Sequence, residues 1–232
     1  MINYKETFKR PFQDLKKFII GICILLIPTV LMLIISDIIF SLVMVIILIP
    51  ITIITYSVFM GYVLICAKTS IKKNYKLPEW NNWSDLFIKG ILSIVISLVY
   101  MIPAIIFFFL ALRSIPSEII YSTTLLTTPL GPGIAPLIII GIMFLILYIY
   151  LIPLAIIKFS EYGIFSHAFD LKKIFKKAFK WKYLGIWFLI IIYTIVISLI
   201  LSLIPFVGSP IANFITGITM VTAIGQYYSS KK

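Results

Sequence analysis

The chain has 232 residues, of which 62% are hydrophobic and only 12% are charged, and its formal net charge is +12. A water-soluble fold of this length cannot bury so large an apolar fraction, so a soluble globular domain is excluded. A nucleic-acid-binding role is not indicated either, because the basic residues fall in alternate connections between apolar segments, which is typical of membrane topology.

Six apolar segments follow one another, each long enough for a membrane-spanning helix of about 20 residues. Backbone polar groups in hydrocarbon must be paired within the segment, so each segment is predicted to be an α-helix. The predicted spans are residues 18–36, 43–66, 90–112, 137–157, 184–204 and 211–228. The predicted fold is therefore all-α, an integral membrane bundle of six helices that forms a single domain over residues 1–232.

The connections predict the orientation of these spans. Nineteen of the twenty Lys and Arg residues lie in the N-terminal lead-in, the connections after the second and fourth spans, and the tail. The other connections carry only Arg113. Because basic residues stay on the cytoplasmic side, both termini are predicted to be cytoplasmic, in the cell (inner or plasma) membrane. The outer connection 113–136, rich in Ser, Thr, Pro and Gly, is predicted to be a mobile surface loop.

A short Asp-Leu string recurs before the first, third and fifth spans, at Asp14, Asp85 and Asp170. An Asp at this place can cap a helix N-terminus, where it also meets the positive end of the helix dipole. Two interpretations stay open: three repeated helical hairpins, or coincidence in a chain rich in Leu, Lys and Ile.

The string at Asp170 opens a basic segment with helical periodicity. Apolar residues recur at i, i+3, i+4 and i+7 from Leu171, and lysines occupy the other side. This pattern predicts a basic amphipathic interfacial helix over residues 170–182. The residues predicted to contact anionic lipid headgroups are Lys172, Lys173, Lys176, Lys177 and Lys180. All four tryptophans lie at the same boundary and are predicted to be interfacial anchors: Trp80, Trp83, Trp181 and Trp187.

Small residues recur in the last span, which is therefore predicted to be the span most enclosed by protein. The residues assigned to helix packing are Gly208, Ala212, Thr216, Gly217 and Gly225. Asn213 is predicted to be a buried amide that needs a partner. Prolines follow Ile at positions 28, 50, 103, 153 and 205, where kinks or frayed helices are expected; they are either hinges or ordinary features of membrane helices.

Catalytic signatures are missing from the sequence. The predicted span interiors contain no Asp, Glu, Lys, Arg or His, the residues that mark proton relays and ion paths. No nucleotide-binding, metalloprotease or serine-hydrolase motif is present. Cys23 and Cys66 are expected to be inert packing residues, and with the single His167 they cannot form a metal site. We therefore expect no enzymatic activity, no metal and no cofactor.

Two stretches carry a family resemblance: the lead-in from Phe8 to Asp14 (FKRPFQD), and Leu77-Pro78-Glu79-Trp80, which is followed by Asp85, Gly90, Tyr100 and Pro103. The chain resembles an uncharacterised family of polytopic membrane proteins from archaea and bacteria, a domain of unknown function. The resemblance implies a membrane fold over nearly the whole chain, and it brings no activity.

Two functions are compatible with these observations. The first is a non-catalytic membrane-organising or partner-binding component that contacts the anionic headgroups of the lipid bilayer, with a membrane-protein partner that the sequence does not identify. The alternative is a permease or channel-like subunit for a small neutral or lipidic solute, with prolines as hinges and Ser, Thr and Tyr lining the route.

Overall fold

The computed structural model describes residues 2–36, 42–115 and 133–230, and every regular element within them is helical. The predicted all-α class is therefore confirmed for this part of the chain. Its eight α-helices are α1 (Tyr4–Lys9), α2 (Leu15–Ser36), α3 (Leu42–Ile71), α4 (Trp83–Arg113), α5 (Ile134–Tyr162), α6 (Leu171–Ala178), α7 (Trp181–Leu201) and α8 (Gly208–Ser229). Short 3₁₀ turns cover Arg10–Phe12 and Phe165–Phe169. Most of the predicted loop 113–136 lies outside the described residues.

Five helices in the described ranges are long and apolar enough to cross a membrane: Leu15–Leu33, Ile46–Ile71, Trp83–Arg113, Ile134–Tyr162 and Trp181–Leu201. The sixth predicted span, 211–228, coincides with α8, which has the length but not the apolarity of the others. The physical reason is that α8 places polar side chains such as Thr219, Thr222 and Gln226 against protein, where they are buried. Its composition therefore does not confirm a sixth span.

The chain divides into two compact units, Met1–Val95 with Pro153–Lys232, and Ile96–Ile152. In the second unit, the hydroxyl oxygens of Ser97 and Tyr148 are 2.6 Å apart, and the rings of Phe107 and Phe144 stack at 5.3 Å. These contacts join the part of α4 and the part of α5 that belong to this unit. The assignment of residues 1–232 to a single domain remains a prediction.

Helix α8 forms the centre of the first unit. Fifteen of its 22 residues are buried, which is about two-thirds. In each of the five helices that are apolar enough to cross a membrane, at most 39% of the most apolar stretch is buried. Phe214 makes ring contacts with Phe18 of α2 at 5.3 Å and with Phe59 of α3 at 6.1 Å. Among the described long helices, α8 is therefore the most enclosed, as the small residues predicted.

Helices α3 and α4 approach each other to backbone contact. A Cβ atom at Gly61 would overlap the carbonyl of Leu86, and one at Gly90 would overlap the carbonyl of Ser57. Each helix thus contributes two contact positions that are four residues apart, on one face. Small residues at such positions let helices approach closely in lipid. Neither glycine was predicted from the sequence to serve packing; Gly90 belongs only to the residues that carry the family resemblance.

One sequence expectation about the prolines requires correction. Pro28, Pro50, Pro103 and Pro153 lie inside α2, α3, α4 and α5, which continue past them, so the expected fraying does not occur there. Pro205 lies in the turn between α7 and α8.

The three Asp residues of the suggested repeat do not share one role. The carboxylates of Asp14 and Asp170 accept hydrogen bonds from the backbone N–H of Lys17 and Lys173, and so cap helices. Asp85 instead lies within the first turn of α4 and pairs with Lys89 at 2.6 Å. A threefold repeat is not confirmed.

Candidate functional site

Arg10 is fully buried in the first unit although it carries a charge. Its guanidinium donates hydrogen bonds to the Cys66 carbonyl at 3.0 Å and the Thr222 hydroxyl at 2.9 Å, and also to the Ser70 hydroxyl. A further bond of 2.6 Å reaches the hydroxyl of Thr69. Removal from water lowers the pKa of Arg10. Neutral oxygens therefore hold this buried charge, and they join the N-terminal lead-in to α3 and α8.

The N-terminal helix is also tied to the last turns of α8. The side-chain oxygen of Gln226 accepts a hydrogen bond of 2.6 Å from the backbone N–H of Asn3, and its amide nitrogen donates to the Thr7 hydroxyl at 3.0 Å. Thr7 and Gln226 are both buried. Gln226, one of the polar side chains that lower the apolarity of α8, thus has its partners within the protein, as buried polar groups require.

The segment Leu77-Pro78-Glu79-Trp80 clamps α2 to α3. The ammonium of Lys17 lies 2.7 Å from the Glu79 carboxylate and donates a hydrogen bond of 2.8 Å to the Leu77 carbonyl. The indole N–H of Trp80 donates in return to the Lys17 carbonyl, and its ring stacks on Tyr62 at 3.8 Å. The role of this segment in the structure is therefore to hold two helices together.

Asp170 connects the end of α5 to the start of α6. Its carboxylate lies 2.8 Å from the ammonium of Lys158, which is 3% exposed, and 3.0 Å from that of Lys173. These two cations, Lys158 first, hold the pKa of the Asp170 carboxyl well below its usual range, and the same contact raises the pKa of Lys173.

The lysine helix is shorter than predicted. Helix α6 ends at Ala178 rather than at residue 182, so Lys180 lies in the connection to α7. Its apolar side is only partly available to a membrane, because Ile174 and Ala178 are buried against the protein while Leu171 is exposed. The ammonium of Lys177 lies 3.2 Å from the ring centroid of Tyr228, a cation–π contact that docks α6 on α8.

Five lysines converge on one cavity of about 450 Å³, which we call the lysine cleft. They are Lys158, Lys173, Lys176, Lys177 and Lys180, and the cleft is also lined by Tyr162, Tyr228, Leu154 and Ile174. Four of the five lysines predicted to contact headgroups therefore meet here, whereas Lys172 does not line the cleft. The volume lies within the range of about 300–1,000 Å³ that is typical of ligand pockets.

A second basic cavity of about 400 Å³ lies at the ends of α3, α5 and α8. It is lined by Lys68, Ile71, Lys72, Lys73, Glu161 and Ser229. Its lysines come from the connection after the second predicted span, so the basic residues of two separate connections each border a cavity.

A smaller cavity of about 200 Å³ lies along the interior of α3, α7 and α8, and we call it the polar cavity. Its polar lining residues are Tyr56, Thr194, Asn213 and Thr216. Asn213 was predicted to be buried, and this is wrong, because its side chain is exposed at the cavity. Its side-chain amide makes no hydrogen bond to any described residue.

Comparison with known proteins identifies the family but no function. The model of a family described as a protein of unknown function (DUF4013) matches residues 43–206. The chain belongs to this family. No curated protein and no solved structure matches the chain.

The DUF4013 match confirms the resemblance to an uncharacterised family, over a shorter range than the nearly complete chain expected. It includes the Leu77–Trp80 segment and α6, and it leaves out the lead-in with Arg10 and the whole of α8. The lysine cleft draws Lys158, Lys173, Lys176, Lys177 and Lys180 from inside the match, while Tyr228 comes from outside it.

The four tryptophans differ in their surroundings. Trp181 is 88% exposed and Trp83 is 50% exposed, whereas Trp80 and Trp187 are half-buried. The contacts of Trp80 with Lys17 and Tyr62 show that it serves packing within the protein. The interfacial role of the other three remains a prediction.

The small residues of α8 have unequal surroundings. A Cβ atom at Gly225 would lie 2.7 Å from the Cβ of Ser70, and one at Gly217 would lie 3.3 Å from the ring of Phe59, so both glycines face α3. A Cβ at Gly208 would overlap the Leu201 carbonyl at the end of α7. The other two assigned residues are Ala212, which is buried, and Thr216, whose hydroxyl donates to the Ala212 carbonyl.

The two cysteines and the single histidine lie in different surroundings. Cys66 is buried and Cys23 is exposed, which corrects the expectation that both are packing residues, and both thiols are free. His167 stacks on Tyr162 with ring centroids 4.5 Å apart. Within the described residues no group of three His, Cys, Asp or Glu side chains could hold a metal ion.

Proposed function

We propose that the protein is a non-catalytic component of the cell membrane that holds anionic lipid headgroups at the lysine cleft. The observation that carries this proposal is the convergence of five lysines at the end of α5, a helix apolar enough to cross a membrane. A basic residue near an anionic membrane surface contributes about 1 kcal/mol to binding. The end of a membrane-crossing α5 lies at the membrane surface, so the lysine cleft brings several such contributions to one place.

The proposal includes six spans with both termini in the cytoplasm. Helix α8 runs back along the whole of α7: Tyr183 near the start of α7 contacts Tyr227 near the end of α8 at 5.5 Å, and Gly208 at the start of α8 touches Leu201 at the end of α7. Because α7 has the length and apolarity of a span, a helix that returns along it crosses the same thickness. The basic connections then lie on the cytoplasmic side.

Cysteine labelling tests this topology. In a Cys23→Ala background, Asn74→Cys and Lys172→Cys should react with a membrane-impermeant maleimide only from the cytoplasmic side. Gly133→Cys and Ser202→Cys should react only from outside. All four positions are exposed, and the remaining Cys66 is buried. Labelling of Ser202→Cys from the cytoplasmic side would show that α7 and α8 do not cross the membrane as proposed.

Lipid-dependent stability tests the headgroup contact. Phosphatidylglycerol added to the detergent-solubilised protein should raise its melting temperature, because a ligand that binds only the folded state stabilises it, whereas phosphatidylcholine should not. Raised salt should weaken the effect, since charges are screened over about 8 Å at physiological ionic strength. The combined Lys→Gln changes at positions 173, 176, 177 and 180, which all line the cleft, should remove it.

A matched variant controls for net charge. Lys→Gln changes at positions 5, 9, 16 and 182 remove four exposed charges that do not line the cleft, and they should leave most of the stabilisation by phosphatidylglycerol in place. An equal loss in the two variants would contradict headgroup binding at the lysine cleft, because it would show that only the total charge matters.

The polar cavity favours a second candidate, a permease for a small neutral solute. An amide inside the hydrocarbon is costly without a hydrogen-bond partner, and the side-chain amide of Asn213 makes no hydrogen bond to a described residue. A solute hydroxyl could supply this partner among Tyr56, Thr194 and Thr216. Glycerol-driven swelling of proteoliposomes that is lost in Asn213→Leu would support this candidate over the first.

A further inference from the structure

The lysine cleft has features of a discrete site rather than of a diffuse basic surface. Resting on the proposed function, we propose that it binds a phosphate monoester, a group with close to two negative charges, carried by a lipid headgroup. The proposal goes beyond attraction to anionic membrane, because it assigns the ligand chemistry and the residues that select it.

Three of the five ammonium groups are held in place by the protein. Lys158 is buried and lies 2.8 Å from Asp170, and Lys173 lies 3.0 Å from the same carboxylate. Lys177 is placed by the ring of Tyr228 and donates a hydrogen bond of 3.3 Å to the carbonyl of that residue. Ordering long side chains before the ligand arrives lowers the entropy cost of binding.

The charge balance of the cleft favours a ligand with more than one negative charge. Asp170 pairs with Lys158 and Lys173, and Glu161, which lines the neighbouring basic cavity, interacts with Tyr228 of the cleft. Five ammonium groups against these two carboxylates still leave a surplus that a singly charged phosphodiester neutralises only in part. A phosphate monoester carries about −1.5 to −2 at neutral pH, and lysine binds phosphate as a compact point charge.

The walls of the cleft favour a lipid over a soluble phosphate. Leu154, one turn before Lys158 on α5, and Ile174 on α6 line the same cavity as the lysines. Helix α5 is one of the helices with the length and apolarity to cross a membrane. A headgroup phosphate can therefore meet the ammonium groups while the apolar part of the molecule lies along α5.

Two single substitutions on α6 distinguish binding at a discrete site from attraction to a diffuse basic surface. Lys176 lines the cleft and Lys172 does not, yet both are exposed lysines of α6. Affinities for dioleoyl phosphatidic acid and dioleoyl phosphatidylglycerol are measured with the full-length protein in nanodiscs, at matched surface charge. We expect phosphatidic acid to bind about tenfold more tightly, and Lys176→Gln to weaken its binding about fivefold, the loss of one lysine contact. Lys172→Gln should change it less than about twofold.

The outcomes distinguish this inference from the proposed function. Equal affinity for the two lipids, or equal loss in the two variants, overturns the phosphate-monoester site while leaving anionic headgroup binding intact. Absence of binding to either lipid overturns both. Inorganic phosphate is the third probe: if it competes as effectively as phosphatidic acid, the lipid source is wrong, and if it does not, the contribution of the apolar walls is supported.

Discussion

Replacing Arg10 by alanine is expected to lower the free energy of unfolding by about 3 kcal/mol, the scale of truncating a large buried side chain. The guanidinium fills the space between the lead-in, α3 and α8, and its hydrogen bonds to Cys66 and Thr222 are lost together. Arg10→Lys should also be destabilising, because one ammonium cannot reproduce the branched donor geometry of a guanidinium. Thermal melting of the purified protein in detergent measures both effects.

The neighbouring lysine provides the control for this prediction. Lys9 is exposed and belongs to the same N-terminal segment, so Lys9→Ala removes the same charge with little expected change in melting temperature. If Arg10→Ala and Lys9→Ala melt alike, the buried hydrogen-bond cluster does not stabilise the fold.

Alanine at Gly61 or Gly90 is expected to destabilise the protein by roughly 1–3 kcal/mol, and leucine by more, because a larger residue overpacks a tight contact. The obstacle at each position is backbone of the facing helix, the Leu86 carbonyl or the Ser57 carbonyl, which cannot move aside as a side chain can. The two helices must separate to make room. Melting temperature and the yield of monodisperse protein report this effect.

Gly185 is the matched control, since it lies in α7 with nothing within 4 Å of its Cβ position. Gly185→Ala is expected to be neutral or to stabilise by about 0.5–1 kcal/mol through higher helix propensity. The loss of stability for Gly217→Leu should lie between the losses at Gly61 or Gly90 and the effect at Gly185. It should still exceed the loss for Leu199→Ala, because Leu199 is 65% exposed. Equal losses for alanine at Gly61, Gly90 and Gly185 would contradict the prediction, because only the first two positions face the backbone of a neighbouring helix.

The spans and the lysine helix were predictable because their signals are local. Apolar segments of the required length predicted five helices that the structure confirms, and the spacing from Leu171 to Ala178 predicted α6. The end of α6 was placed too late, because the lysines continue past Ala178 while the backbone changes direction at Phe179 and Lys180. A run of charge does not mark the end of a helix.

The contacts of the candidate site were beyond local reasoning because they join distant parts of the chain. Lys158 reaches the cleft from α5, and no periodicity relates it to α6. Arg10 was counted only as a topological charge, although it lies between α3 and α8. Asn213 was assigned a buried place because an amide in an apolar helix needs a partner, yet the structure places it at an open cavity.

The hydrogen bond between Arg10 and Thr222 can form only late in the synthesis of the protein. The chain is made from its N-terminus, so Arg10 leaves the ribosome well before α8 exists to supply the Thr222 hydroxyl and the Gln226 amide. Until translation is complete, the lead-in lacks its partners on the last helix. A product that stops before α8 therefore leaves the Arg10 guanidinium, the Asn3 backbone N–H and the Thr7 hydroxyl without the partners that α8 supplies.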